Sequence, residues 1–384
     1  MSKEIIYLDH AAATPVDEHV LSAMKPYFSD IFFNPSSPYL PAKKARSAYD
    51  DAKRTIASVL GVKPGELTMT AGATESINLA FNSVTGHVVV PASEHEAVLA
   101  SAKRHKHTLV KPDKQGVISA YTIAAAITPK TELVSVSLAN NELGTIQPLR
   151  DISAVIKEER KSRLSKGDKT PIYLHSDASQ GAGQVDLAVS RLGVDMLTLN
   201  AAKMYGPKQV GLLWAASGVH LQPQIVGGGQ EQNTRSGTEN VAGVVGFAKA
   251  LETVSEHRKN EATRLAKLRD DLQARLVEAL PEAMLSGHLK HRLSGHLNIS
   301  FPGLDGERLV FLLENRGVLV ATGSACAANK GKRSHVLTSI GLSPEVIDGS
   351  IRITLGQLST PRNIRRASRI MIEEVKKEYS RVGQ

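Results

Sequence analysis

The chain has 384 residues, 41% of them hydrophobic, with a formal net charge of +9, enough length for two domains around a sizeable core. Met1-Ser2-Lys3-Glu4 lacks the basic and apolar regions of a secretory signal, and the longest apolar runs are too short to span a bilayer, so a soluble cytoplasmic protein with no membrane partner is expected. Basic residues are dispersed, clustering only around 160–166 and 330–333, and with 4% aromatics and no zinc-finger spacing a solvated surface explains the charge better than direct nucleic-acid contact.

In chain order, apolar runs at 67–71, 87–90, 109–111, 133–139, 172–176, 196–199 and 211–216 alternate with amphipathic segments such as 148–157. This alternation predicts an α/β domain with a mostly parallel, seven-stranded sheet, in which ligands bind at the carboxyl ends of the strands. From about 240 to 280 the pattern is helical and carries the chain out of that domain. Alternating strands at 296–301 and 350–355, flanked by helical patterns at 306–315 and 362–379, describe a smaller α+β unit. The expected division is 15–255 for the large domain, with 1–14 and 256–384 forming the small one.

Several strand ends carry chemistry. Thr70-Ala71-Gly72-Ala73-Thr74-Glu75-Ser76 leaves a strand and opens a helix, with Thr74 a good N-cap and the free N–H groups suited to a phosphate. An ordinary capped helix fits that stretch equally well. Asp177 ends the apolar run Ile172-Tyr173-Leu174-His175-Ser176, where a carboxylate needs a partner: a protonated ring nitrogen or a nearby Arg or Lys. His95, in Ser93-Glu94-His95-Glu96, has two readings, stacking on a ring or capping a helix. Asn140-Asn141-Glu142 is a further polar cluster. Lys203 follows the run 196–199 and precedes the Gly206-Pro207 turn; partial desolvation there would make it an amine nucleophile, against the alternative of a solvated loop lysine. The conjunction of a phosphate cap, a carboxylate and a lysine points to pyridoxal phosphate.

The single cysteine, Cys326, excludes an intrachain disulfide and a cysteine metal cluster within one chain. Its neighbours, Gly323-Ser324-Ala325 and Ala327 to Lys332, are small and basic, which favours a reactive thiolate over an inert core thiol. Arg352 lies in an alternating strand and requires a partner, either a substrate carboxylate or a structural ion pair.

These motifs resemble, in order and along nearly the whole chain, the cysteine desulfurases of the NifS/IscS type among the fold-type I pyridoxal phosphate enzymes. The matching residues are Ala71-Gly72-Ala73-Thr74-Glu75, Ser93-Glu94-His95, Asn140-Asn141-Glu142, Asp177-Ala178-Ser179-Gln180, Lys203 with Tyr205-Gly206-Pro207-Lys208, Arg235-Ser236-Gly237-Thr238 and Gly323-Ser324-Ala325-Cys326. The resemblance implies that Lys203 binds the cofactor and moves the substrate Cα proton. It also implies that Asp177 pairs with the ring nitrogen, His95 stacks on the ring and Gln180 contacts the ring oxygen. Ala73, Thr74 and, at a position where relatives carry serine, Asn200 fall at the phosphate, with Thr238 reaching the phosphate of the other subunit in a homodimer. Asn141 and Arg352 would take the carboxylate of L-cysteine, with Asn34 nearby. Cys326 would accept the sulfur as a persulfide, pass it to acceptor or scaffold proteins for iron–sulfur assembly or tRNA thiolation, and be available as a cluster ligand shared with a scaffold.

The sequence departs from that pattern at Ala202, where a histidine usually precedes the lysine, at Asn200, and near the start at His10 and Ala13. The loss of phosphate donors predicts weaker cofactor retention. The rival readings are a selenocysteine lyase, another fold-type I lyase or transaminase, and an inactive member acting as a sulfur-partner adaptor.

Overall fold

The protein is described by a computed structural model covering residues 5–323 and 333–383. Its strands in chain order begin with Ile6–Tyr7 (β1), Leu67–Thr70 (β2), His87–Pro91 (β3), His107–Val110 (β4), Thr131–Ser135 (β5) and Tyr173–Asp177 (β6). There follow Met196–Asn200 (β7), Gly211–Ala215 (β8), Met284–Ser286 (β9), His296–Ser300 (β10), Val318–Leu319 (β11) and Ser350–Thr354 (β12). Seven of them make one sheet in the order β2-β8-β7-β6-β5-β3-β4, within which only β8 runs against the others. The expected α/β class and seven-stranded sheet are observed.

The sheet is covered on both faces, so its strands are apolar throughout rather than alternating. Val88 and Val90 of β3 pack with Ile77, Phe81 and Val98, while Val89 between them faces a second layer with Val134 and Leu174. Each such valine, fully removed from water, stabilises the fold by about 1.5–3 kcal/mol. β5 stops at Ser135 rather than running to 139; Val136 and Leu138 still donate to the carbonyls of His175 and Asp177 before the chain bridges Ala139 to Ile146.

The helix Val241–Ala279 starts on the Asn240 cap and joins two cores. Its first half gives Val244, Phe247 and Leu251 to the large-sheet core. Leu265, Leu268, Leu272 and Leu276, at three- and four-residue spacing, serve a second core with Leu297, Ile299, Ile351 and Ile353. There β12, β10 and β9 form an antiparallel sheet, and β1 pairs in parallel with β11. β1, β9 and β11 were not anticipated from the sequence; at two, three and two residues they are too short for a pattern.

The segment after β1 crosses from one core to the other. Asp9 bridges to Thr354, and Thr14 then bonds to the Ala202 carbonyl through both its N–H and its hydroxyl. The N-terminal strand region thus lies against the turn that carries Lys203. Among the described residues no helix is long and apolar enough to cross a membrane.

Candidate active site

The ends of β5, β6 and β7, together with the turns after β2 and β3, meet at one edge of the large sheet, above a cleft of about 350 Å³. Ala73, Thr74, His95, Asn141 and Asp177 line it, as do Gln180, Asn200, Lys203 and Arg352. Nine residues singled out in the sequence therefore converge, although they come from many separate elements.

At the helix Ala73–Asn82 the cap is Gly72, not Thr74, which is already inside the first turn. Gly72 takes φ 140°, a region closed to side chains, and Gly211 of β8 approaches so closely that a Cβ there would lie 2.6 Å from Gly72 Cα. With no capping side chain, the first-turn N–H groups are left for a ligand. Glu75 is turned away from that position, accepting from the Ala71 N–H at 2.9 Å and pairing with Arg235 at 2.9 Å. An adjoining cavity brings Lys208 and Gln209 beside Asn200 and Ala202.

Lys203 ends a short 3₁₀ turn, Ala201–Lys203, whose N-cap is Asn200; the Asn200 side-chain oxygen accepts from the Ala202 N–H at 3.1 Å. The Lys203 ammonium donates to the carbonyls of Ala11 and Ala12 at 2.8 and 2.6 Å. Gln180 Nε2 also donates to the Ala11 carbonyl, at 3.1 Å. Asp177 stands at the end of β6, and its Oδ1 accepts from the Ser179 N–H at 2.9 Å. Beneath it His175 is wholly buried, bonded to Ser135 at 2.8 Å and Thr198 at 3.0 Å; burial pushes its pKa down to about 4.

Of the two readings of His95, the helix cap is the one observed. Its Nδ1 accepts from the Ala97 N–H at 3.1 Å, capping the helix Glu96–Ala102, while the ring lines the cleft. That bond fixes the neutral tautomer with the proton on Nε2. Burial lowers its pKa, opposed by Asp177 and reinforced by Lys203. Next to it, burial raises the Glu94 carboxyl to about 7, against hydrogen bonds from the Ser137 hydroxyl and N–H and helped by the charge of Asp177.

Arg352, 4% exposed, donates to Asp9 at 2.7 Å and to the Asn141 carbonyl at 3.2 Å. The structural ion pair is therefore present, and the buried Arg352 Nε has no partner among the described residues. Asn34 and Thr238 are exposed and are not among the cleft residues of this chain; Asn34 instead accepts from the Ser36 N–H at 2.9 Å. Cys326 lies outside the described residues, between Gly323 and Arg333.

The Ala11 and Ala12 carbonyls and His335 carried no sequence signal, and Glu142 was marked only as part of the Asn140-Asn141-Glu142 cluster, with no role of its own. Glu142 is 2% exposed and accepts from the Ser334 hydroxyl at 2.6 Å. Burial raises its pKa, opposed by that hydrogen bond and by His335 and Arg352. His335 Nε2 pairs with the Glu94 carbonyl at 2.8 Å, joining the two sides of the cleft.

An anion position at a helix N-terminus, a carboxylate across the cleft, an imidazole at its wall and an amine at its floor fit pyridoxal phosphate. The chain matches the family model "aminotransferase class-V" over residues 6–366. It is 37% identical to the cysteine desulfurase IscS of Methanosarcina thermophila, covering 97% of this chain and 92% of that protein. Among solved structures, a NifS-like protein superposes with a TM-score of 0.89 at 32% identity over 97% of this chain and all of that one. SspA in complex with cysteine superposes at 0.78 with 34% identity, covering 91% of this chain and 98% of that one. The chain belongs to the aminotransferase class-V family.

Proposed function

We propose that the protein is a cysteine desulfurase that uses pyridoxal phosphate to remove sulfur from L-cysteine, leaving L-alanine and a persulfide on Cys326. The observation that carries this reading is the convergence of the Ala73 helix N-terminus, Asp177, His95 and Lys203 on one cleft, in a chain similar to cysteine desulfurases over nearly its whole length.

Bound in the cleft, pyridoxal phosphate supplies an electron sink beside the substrate Cα. The N–H groups of Ala73 and Thr74, with Asn200, would hold its phosphate. Asp177 would keep the ring nitrogen protonated, Gln180 would serve the ring oxygen and His95 would support the ring. The Lys203 amine, held in the structure by the Ala11 and Ala12 carbonyls, is the base for the Cα proton and returns it. Asn141 and Arg352 take the substrate carboxylate, Arg352 while paired with Asp9. The Cys326 thiolate attacks the substrate sulfur, so an S–S bond forms as the Cβ–S bond breaks, and the carbon product leaves protonated as L-alanine.

The same reading assigns 15–255 to a large domain and 1–14 with 256–384 to a small one. It makes the protein a cytoplasmic homodimer in which Thr238 reaches the phosphate of the other subunit. The persulfide goes to acceptor or scaffold proteins for iron–sulfur assembly or tRNA thiolation. To test it, purified protein loaded with pyridoxal phosphate is given L-cysteine and a reductant. Alanine and sulfide are expected in equal amounts from the wild type, and neither above background from Lys203→Ala or Cys326→Ser. Wild-type protein that makes neither product sinks the reading, and full activity in Cys326→Ser moves the chemistry off the persulfide.

A further inference from the structure

We propose that Glu231 is a positioning residue for the cofactor site of the other subunit: its buried carboxylate holds the segment 230–238 in a left-handed turn that sets where Thr238 is presented. The proposal rests on the reading of Thr238 given above and goes beyond it by naming the residue that fixes it.

Three consecutive residues other than glycine, Glu231, Gln232 and Asn233, take φ of 47°, 57° and 64°. L-residues enter that region singly, asparagine more readily than glutamate or glutamine, because Cβ crowds the following carbonyl oxygen. A run of three persists only where surrounding contacts over-determine the backbone, and strain of this kind gathers where a site must be held ready. At Thr234 the chain returns to the right-handed region, with φ −86° and ψ −34°.

The contacts that hold the turn converge on one side chain. Glu231, its side chain 5% exposed, accepts from the Tyr49 hydroxyl through Oε1. Its Oε2 accepts from the Lys53 ammonium and from the Met69 N–H, each at 2.9 Å. Lys53 also donates to the Leu67 carbonyl at 2.9 Å. Tyr49 and Lys53 lie one turn apart on the helix Leu40–Leu60, and Leu67 and Met69 belong to β2. A buried carboxylate is costly unless charges and hydrogen bonds hold it, and here both oxygens are used. β2 leads on to Gly72 and the helix Ala73–Asn82, so the turn is seated on the elements that build this chain's own anion position.

The residues around Thr238 are tied as well. Gln230 Oε1 accepts from the Gly237 N–H at 2.9 Å, closing the segment on itself. Arg235 pairs with Glu75 of the helix Ala73–Asn82 at 2.9 Å, and the Ser236 N–H donates to the Ile225 carbonyl at 2.9 Å. On the far side Glu239, its side chain 4% exposed, accepts from Arg46 on the same helix as Tyr49. Thr238 itself is exposed. An exposed donor on a segment held this way has little ordering left to lose on binding, which is the advantage of preorganisation. Without Glu231 the three residues are favoured to return to the right-handed region, and the chain leading to Thr238 changes direction.

The test reads the pyridoxal phosphate affinity of the dimer by absorbance titration, with sedimentation velocity confirming the dimer for each variant. Thr238→Ala is expected to weaken binding about fivefold, the scale of one hydrogen bond. Glu231→Ala is expected to weaken it by a similar factor, and the Glu231→Ala/Thr238→Ala double variant no further, because both act through the same group. Glu231→Ala/Gln232→Gly/Asn233→Gly is expected to recover part of the loss, since glycine enters the left-handed region without the Cβ penalty. Should Glu231→Ala fail to fold with Lys53 left unpaired, Lys53→Met/Glu231→Leu removes both charges and is expected to give the same loss. Wild-type affinity in the Glu231 variants overturns the proposal, as do losses that multiply in the double variant or a glycine variant as weak as Glu231→Ala. Wild-type affinity in Thr238→Ala overturns the reading of Thr238 itself and the proposal with it, a distinguishable result because it appears without any change at Glu231.

Discussion

Under the proposed function Ala202 is the position at which a phosphate donor is missing, and the structure shows what surrounds it. Its backbone is tied down by Thr14, which donates to the Ala202 carbonyl twice, so the methyl group is held at the edge of a cavity that also contains Asn200, Lys208 and Gln209. Asn200 accepts from the Ala202 N–H with its side-chain oxygen, and no side-chain N–H of Asn200 is bonded to protein among the described residues. A histidine at 202 would add one donor to the anion position, worth about 1 kcal/mol net. Ala202→His is therefore expected to bind pyridoxal phosphate about fivefold more tightly in an absorbance titration of apo-protein. Equal affinities would mean that Lys208 and Gln209 already fill the role. Arg352 shows the same division at residue scale. A strand arginine signals a partner, but its choice of Asp9 is made by a contact across 343 residues.

At the scale of elements, the central strands carry the site through their ends and the stability through their middles. In β6, His175 sits one pleat below the catalytic edge, neutral and bonded on both ring nitrogens. Its folded-state pKa of about 4 lies below the unfolded value, so the stability it contributes is complete above about pH 6.5 and is lost as the pH falls toward 4. The difference corresponds to about 3 kcal/mol across that window. Glu94 has the opposite sign: its carboxyl, raised to about 7, favours the folded state at low pH and loses that contribution as the pH rises from about 4.5 to 7. Thermal unfolding followed from pH 7 to pH 5 should therefore show a flatter acid slope in His175→Asn than in the wild type, whatever the offset between them. Identical slopes would remove His175 from the balance. The sequence marked this strand correctly because an apolar run ending in a carboxylate is a local pattern. It gave no sign that the histidine inside it is structural, since that depends on Ser135 and Thr198 in neighbouring strands.

For the whole molecule, the proposed pairing of two copies leaves an expected mark on the surface. Phe32 is 65% exposed and stacks on Phe33 with ring centroids 4.4 Å apart, while Tyr39 and Leu40 beside them are 50% and 74% exposed. Val226, 79% exposed, opens the stretch that leads to Thr238. Contiguous exposed apolar side chains of this kind mark an interface. Sedimentation velocity should give a dimer for the wild type and monomer for Tyr39→Asp/Leu40→Asp, with weaker cofactor binding in the monomer because Thr238 is then missing. A variant that stays dimeric places the interface elsewhere.

What the sequence determined by itself was the α/β class, the edge of the sheet at which the candidate residues gather, and nine of the residues that line the cleft, from Ala73 to Arg352. These are encoded locally, in apolar runs, in glycines where the backbone must turn, and in polar groups at strand ends. Tertiary structure alone decided that Ala11 and Ala12 hold the Lys203 amine across some 190 residues, that Gly72 rather than Thr74 caps the phosphate helix, and that Glu142 accepts from Ser334. The lysine and glutamate contacts join side chains to groups distant in the chain. The cap depends on the close approach of Gly211, so no periodicity along the chain records any of the three.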